Sequence, residues 1–142
     1  MARILRVLAR LSLAEQRDMV GVLAAAVLVE VLIRTRPLPR VARMLGVKFP
    51  SVVNNNHPAD RFAPDAVEMR RLQYLRQVMR RWPFADGTCL RESLVAGHVL
   101  RRHRPALALG AVFEGDAFCA HAWLEVAGRK IGFQGPFARF DA

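Results

Sequence analysis

The chain has 142 residues, of which 53% are hydrophobic and 24% are charged, and its formal net charge is +10. That length predicts one domain and is enough to bury a core without disulfide bonds. The positive charge would suit nucleic acid, an anionic membrane or an acidic peptide. The arginines are scattered, however, and the sequence has no RNP motif, zinc-finger spacing or aromatic ladder, which argues against a nucleic-acid-binding protein.

The first third of the chain has the apolar spacing of helices. Residues 1–16 carry leucines and an isoleucine at helical intervals, with arginines opposite them. Met19–Ile33 is more apolar, but it is shorter than the roughly 20 apolar residues of a membrane span, and Glu30 interrupts it. We expect a buried core helix there, with contact to a membrane surface as the alternative. Leu38–Gly46 predicts a short helix that closes at a glycine.

A loop is predicted at residues 51–64, because prolines and asparagines interrupt any regular pattern there. The loop would separate an N-terminal helical region, residues 1–50, from the rest of the chain, residues 65–142. A helix from Asp65 to about Trp82 opens this second part, with an apolar stripe and a cluster of arginines. The arginines indicate a solvated helix face or, alternatively, a peptide-binding patch.

The stretch Asp86–Leu94 is a turn that leads into a helix with Cys89 at its start. The residues before Cys89 are turn and N-cap types, and apolar residues follow at helical spacing to about His103. A thiol at a helix N-terminus lies near the positive end of the helix dipole and near unpaired backbone N–H groups. Both favour the thiolate, which is the nucleophilic form of cysteine.

The chain has two cysteines, Cys89 and Cys119, and they are not spaced as a CxxC motif. The basic residues 1–10 lack the small-residue cleavage site of a signal peptide. Free thiols in a reducing cytoplasm are the simplest interpretation, and a Cys89–Cys119 disulfide is the alternative.

Beyond Pro105 the pattern changes from helices to strands. The apolar segments Ala106–Phe113, Phe118–Val126 and Arg129–Phe133 are separated by turn residues. This pattern predicts two or three antiparallel strands after the helices, and therefore an α+β fold.

His121 lies inside an apolar strand, which is an unusual place for a titratable side chain. Alternation along the strand puts His121, Trp123 and Glu125 on one face, and we expect that face to meet the start of the Cys89 helix. The imidazole would then take the thiol proton, and the Cys89 N–H would contribute to an oxyanion hole. The alternative is an inert buried cysteine and a core histidine bonded to the backbone.

Two motifs appear in this order: Cys-Leu-x-x-Ser-Leu from Cys89 and His-Ala-Trp-x-Glu from His121. Together they resemble the transglutaminase-like leader peptidases of lasso-peptide biosynthesis, most clearly over residues 65–142. The resemblance implies a transglutaminase-like or papain-like core, with catalytic Cys89 at a helix N-terminus packed on a small antiparallel sheet and His121 as the base. It also implies a stand-alone peptidase that works with a lasso precursor peptide, a separate leader-binding recognition protein and an ATP-dependent macrocyclase.

The transglutaminase-like leader peptidases have an aspartate about twelve residues after the histidine, and Phe133 occupies that position here. The adjacent Gln134 is the predicted third catalytic residue, since an amide oxygen can orient an imidazole. Asp141 is a second candidate, whereas Glu125 belongs to the motif itself and is expected to be structural.

The sequence therefore predicts a cytoplasmic thiol peptidase that cleaves the leader from a lasso precursor without a cofactor. No metal site is predicted, because His98 and His103 are five residues apart rather than at the spacing of neighbours on a helix face. A transglutaminase-like acyl transferase is the first alternative. A catalytically inactive peptide-binding scaffold is the second, and Phe133 is the best argument for it.

Overall fold

The computed structural model describes residues 12–49, 63–83, 88–114, 117–131 and 138–139. Its helices are α1 (Leu13–Thr35), α2 (Leu38–Met44), α3 (Ala66–Met79) and α4 (Thr88–Val99), followed by a 3-10 turn at Arg101–His103. Its strands are β1 (Ala106–Glu114), β2 (Ala117–Val126), β3 (Arg129–Ile131) and β4 (Ala138–Arg139). The strands form one antiparallel sheet in the order β3-β2-β1-β4. The predicted α+β class is confirmed.

Helix α1 begins at a capping box. The Glu15 N–H donates to the Ser12 hydroxyl at 3.4 Å, and the Ser12 N–H donates to the Glu15 carboxylate at 2.8 Å. From there the helix is continuous to Thr35. The helix therefore begins before Met19, where the sequence pattern becomes more apolar, because nothing between Leu13 and Met19 interrupts the backbone ladder. Residues 1–11 lie outside the described part.

Helix α1 has one buried and one exposed face. The buried face packs into the core through side chains such as Val22, Ala26 and Val29. On the opposite face Val20, Val27, Leu28 and Val31 are exposed, so only one face of α1 forms the buried core helix expected there. Among the described residues no helix is long and apolar enough to cross a membrane.

The N-terminal helices share their core with the sheet. Helix α2 ends at Met44, and Gly46 follows two residues later with a φ of +76°, a conformation that glycine adopts readily. The chain then forms a parallel bridge in which the Lys48 N–H donates to the Pro105 carbonyl at 2.9 Å and the Leu107 N–H donates to the Lys48 carbonyl at 2.8 Å. Residues 50–62 lie outside the described part, so the proposed division at residues 51–64 stays a prediction.

Helix α3 starts at a second capping box, between Asp65 and Glu68. Two of its arginines turn toward α1. Arg70 Nε donates to Asp18 Oδ2 at 2.8 Å and Arg71 Nε donates to Asp18 Oδ1 at 2.9 Å. The expectation of a solvated arginine face is wrong for these two residues, because the Asp18 carboxylate is buried and requires cationic partners.

Strands β2 and β3 are joined by a two-residue turn. Its residues Ala127 and Gly128 have φ angles of +47° and +74°. Positive φ at both central positions matches the right-handed twist of the two strands in a tight hairpin. This hairpin aligns Leu124 with Ile131, which places both side chains next to the helical layer.

Gly97 sits where α4 meets the sheet, and we expect its replacement by alanine to destabilise the fold. A Cβ there would overlap Val47 Cγ2 and lie 3.3 Å from Leu124 Cδ2. Overpacking of this kind costs about 1–3 kcal/mol. The matched control is Gly21→Ala on the exposed face of α1, where a Cβ meets nothing within 4 Å. That change should stabilise the protein by about 0.5–1 kcal/mol.

Urea unfolding of both variants measures the two effects. Equal stabilities for Gly97→Ala and Gly21→Ala would contradict the close packing of α4 on Val47.

Candidate active site

Cys89 is the second residue of α4, as the sequence predicts. Its side chain is half-buried and the thiol is free, so a disulfide to Cys119 is not formed. The first four N–H groups of an α-helix have no acceptor within the helix, and the Cys89 N–H belongs to this turn. The helix ends at Val99, earlier than expected, because a 3-10 turn follows it. The predicted turn residues Asp86 and Gly87 lie outside the described part.

Cys89 and His121 line the same cavity, which has a volume of about 70 Å³. One face of α4 supplies Cys89 and, at helical spacing, Glu92, Ser93 and Ala96. The remaining lining residues come from α3, β2 and β3: Leu72, Leu75, Arg76, His121, Ala122, Leu124 and Ile131. The two residues predicted from separate motifs, 32 positions apart in the sequence, therefore meet at one site.

His121 reaches this cavity differently from the expectation. Side chains alternate along β2 as predicted, and the His121 and Trp123 rings are stacked with their centres 6.4 Å apart. It is Ala122 and Leu124, however, that belong to the core shared with the helices. The face of β2 that carries His121, Trp123 and Glu125 is therefore not the face that packs on the helices, so that part of the prediction is wrong. His121 itself nevertheless lines the cavity together with Cys89.

His121 and Ile131 line the cavity from two neighbouring strands, β2 and β3. Within the described residues β3 pairs only with Leu124–Val126, and β2 continues past the end of that pairing to His121. His121 is half-buried there, beside Ile131 at the end of β3.

The tryptophan and glutamate of the second motif support the histidine. Trp123 is completely buried beside His121, and its indole Nε1–H donates to Glu125 Oε1 at 3.2 Å. The Lys130 Nζ lies 5.5 Å from the centre of the Trp123 ring system. This arrangement agrees with the structural role expected for Glu125, and the buried indole limits the positions open to the stacked imidazole.

Ser93 connects the two halves of the site. Its hydroxyl donates to the Ala122 carbonyl at 3.2 Å, which joins α4 to β2 directly beside His121. Sequence patterns assigned no catalytic role to Ser93 or Glu92, and they placed Arg76 in an arginine cluster on a solvated helix face or a peptide-binding patch; all three line the cavity. Glu92 and Ser93 could have been found, because residues three and four positions after Cys89 share its helix face.

The third catalytic residue stays a prediction. Gln134, Phe133 and Asp141 lie outside the described residues, and so does the side chain of Cys119. No group of ligands in the described part of the chain could hold a metal ion.

The remaining two histidines of the described segments lie outside the cavity lining. His103 Nε2 lies 3.0 Å from Glu68 Oε2, where it joins the 3-10 turn to α3. Burial, together with the nearby charge of Arg101, lowers the pKa of His98 below its ordinary value. Neither histidine is placed to exchange a proton with Cys89.

A family comparison agrees with this geometry. The family described as the transglutaminase-like superfamily matches residues 25–141. The chain belongs to the transglutaminase-like superfamily. Its match begins within α1 and includes α2 and both motifs. No curated protein and no solved structure matches the chain significantly.

Membership of the transglutaminase-like superfamily is compatible with two reactions of a cysteine enzyme, peptide hydrolysis and acyl transfer. Both start with attack of a thiolate on a carbonyl carbon and pass through a thioester. Cys89 and His121 are the thiol and the imidazole that line one cavity, and this is the minimum set for either reaction.

Proposed function

We propose that this protein is a cysteine peptidase that removes the leader from a lasso-peptide precursor. The observation that carries the proposal is the shared cavity of Cys89 and His121 in a chain of the transglutaminase-like superfamily. The resemblance of both motifs to the lasso leader peptidases supports the finer assignment. If no residue replaces the aspartate that the family has at the position of Phe133, we expect a slower enzyme rather than an inactive one, because a Cys–His pair can act with a weak orienting residue.

In the proposed reaction the Cys89 thiolate attacks the carbonyl carbon of the scissile bond after its proton has moved to His121. The Cys89 backbone N–H donates to the developing oxyanion. Collapse of the tetrahedral intermediate breaks the C–N bond, and the imidazolium gives its proton to the departing amine of the core peptide. Water, deprotonated by His121, then hydrolyses the thioester and frees the leader carboxylate and the thiol. Gln134 is proposed to orient the imidazole.

The size of the cavity favours a peptide substrate. Its volume of about 70 Å³ is far below the roughly 300–1,000 Å³ of a pocket that encloses a small molecule. An extended peptide needs no such enclosure, because its backbone can cross the surface while one side chain enters the cavity. The lining is mostly apolar, but Arg76 and Glu92 add one charge of each sign.

The proposal includes partners for the peptidase. A leader-binding recognition protein would present the precursor, and an ATP-dependent macrocyclase would close the ring on the new amine. We place the reaction in the cytoplasm, where ATP and reduced thiols are available.

Leader release tests the proposal. The protein is incubated with a lasso precursor peptide and its leader-binding protein, and products are identified by mass spectrometry. Wild-type protein should release a leader with a free carboxylate, whereas Cys89→Ala should release none and His121→Ala far less than the wild type. Equal release by all three proteins would contradict the proposal.

The same assay separates the two alternatives. In the presence of a primary amine such as cadaverine, an acyl transferase would attach the amine to the substrate instead of producing the free carboxylate. An inactive scaffold would produce neither product yet still retain the precursor on a column that carries the protein.

A further inference from the structure

A buried carboxylate on α1 is connected to the first turn of the Cys89 helix. Glu30 is almost completely buried and accepts from the Arg91 guanidinium through both of its oxygens, with Nη2 3.2 Å from Oε1. Arg34 Nε donates to Oε1 at 2.7 Å, and the Trp82 indole donates to Oε2 at 3.5 Å. Three elements, α1, α4 and the chain after α3, therefore meet at one carboxylate.

The pairing between Arg91 and Glu30 is directional as well as strong. The side chains of Arg91 and Glu30 are only 13% and 9% exposed. A two-point contact between a guanidinium and a carboxylate fixes orientation and distance together, which a single contact does not. With both partners desolvated, a displacement of the helix start weakens a charge-assisted contact that water cannot readily replace.

Arg91 follows Cys89 by two residues, so the two side chains point about 200° apart around the helix. Cys89 faces the cavity, while Arg91 faces α1 on the other side. Four residues after Cys89, Ser93 binds the Ala122 carbonyl of β2. The first two turns of α4 are thus fixed on one side to α1 and on the other to the strand that carries His121.

We propose that Arg91 and Glu30 are positioning residues for the thiol. Neither lines the cavity, and they act through the backbone of the first helical turn, which fixes the location of Cys89 relative to His121. That turn has few hydrogen bonds of its own, since its N–H groups lack acceptors within the helix. The inference rests on the proposed role of Cys89 as nucleophile, but it does not depend on the identity of the substrate.

The test measures the reactivity of Cys89 without any peptide. The full chain is alkylated with iodoacetamide across a range of pH, and modification of the Cys89 peptide is quantified by mass spectrometry, separately from Cys119. Two variants keep every charge but alter the geometry of the pair. Arg91→Lys removes the two-point contact, and Glu30→Asp shortens the side chain that carries the carboxylate. The ionisable groups that line the cavity with Cys89, namely Arg76, Glu92 and His121, are left unchanged.

Both variants should move the alkylation profile to higher pH by about one unit, which is about tenfold slower alkylation on its acidic side. The reason is that a displaced helix start weakens the thiolate–imidazolium pair. The matched control is Asp18→Glu, a charge-conserving change in another buried carboxylate of α1, which binds Arg70 and Arg71 of α3 instead of α4. Its profile should coincide with that of the wild type.

Superimposable profiles for Arg91→Lys, Glu30→Asp and wild type would overturn the inference. So would an equal displacement by Asp18→Glu, because the effect would then follow from general loss of stability. If the profiles move as expected but wild-type protein releases no leader, the proposed substrate is wrong and the positioning role stands. If wild-type protein releases leader but the alkylation profiles of the variants do not move, the positioning role of Arg91 and Glu30 is wrong and the proposed substrate stands.

Discussion

Replacing His121 with alanine should lower kcat/KM for leader release by at least about 100-fold, the lower range for loss of a general acid–base group. His121 lines the cavity with Cys89, whereas His98 and His103 of the described segments do not. Without the imidazole, the thiol proton and the amine proton have no carrier in the proposed reaction. The decrease should appear mainly in kcat, because the half-buried His121 ring of the wild-type protein contributes little surface to peptide binding.

His98→Ala is the matched control for this prediction. It removes an imidazole from α4 itself, two and a half turns beyond Cys89, and should leave kcat/KM within about twofold of wild type once stability is matched. Imidazole added to the buffer should restore part of the activity of His121→Ala and none of that of Cys89→Ala. A kcat/KM for His121→Ala close to the wild-type value would contradict the assignment of His121 as base.

Local sequence patterns were sufficient to predict where the two candidate catalytic residues lie. Turn residues before Cys89 and apolar spacing after it predict a helix start, and alternation around His121 predicts a strand. Both are short-range features that the neighbouring residues determine. Which face of β2 would meet the helices was not readable, because alternation only separates the side chains into two faces and tertiary packing decides which of them is buried.

Long-range polar contacts were the features that sequence patterns missed. Glu30 interrupts an apolar run, and this alone indicates a buried carboxylate that needs a cation. Its partner Arg91 lies 61 residues away, and no periodicity connects them. The same holds for Asp18 with Arg70 and Arg71, since each pairing depends on how α1 packs against a later helix.

The buried Glu30 carboxylate should also make stability depend on pH in the acid range. Hydrogen bonds from Arg91, aided by Arg34 and Trp82 against the opposing effect of burial, lower the pKa of Glu30 from 4.5 to about 2. As the pH falls below 4.5, the unfolded chain binds this proton while the folded chain does not. The stability due to Glu30 is therefore complete above pH 4.5, decreases as the pH falls, and is lost near pH 2.

Comparison with Glu30→Gln isolates this contribution, because the other acidic residues are common to both proteins. The variant should be the less stable at pH 6, since its amide lacks the negative charge that Arg91 and Arg34 bind in the wild-type protein. The difference in free energy of unfolding between the wild type and Glu30→Gln should then narrow by up to about 3 kcal/mol as the pH falls from about 5 to about 2, because each pKa unit corresponds to about 1.4 kcal/mol. Urea titrations at a series of pH values, over the range in which both proteins are folded, measure the gap. A gap that stays constant with pH would mean that the Glu30 carboxylate is not held ionised by Arg91, and the restraint on the first turn of α4 would lose its electrostatic basis.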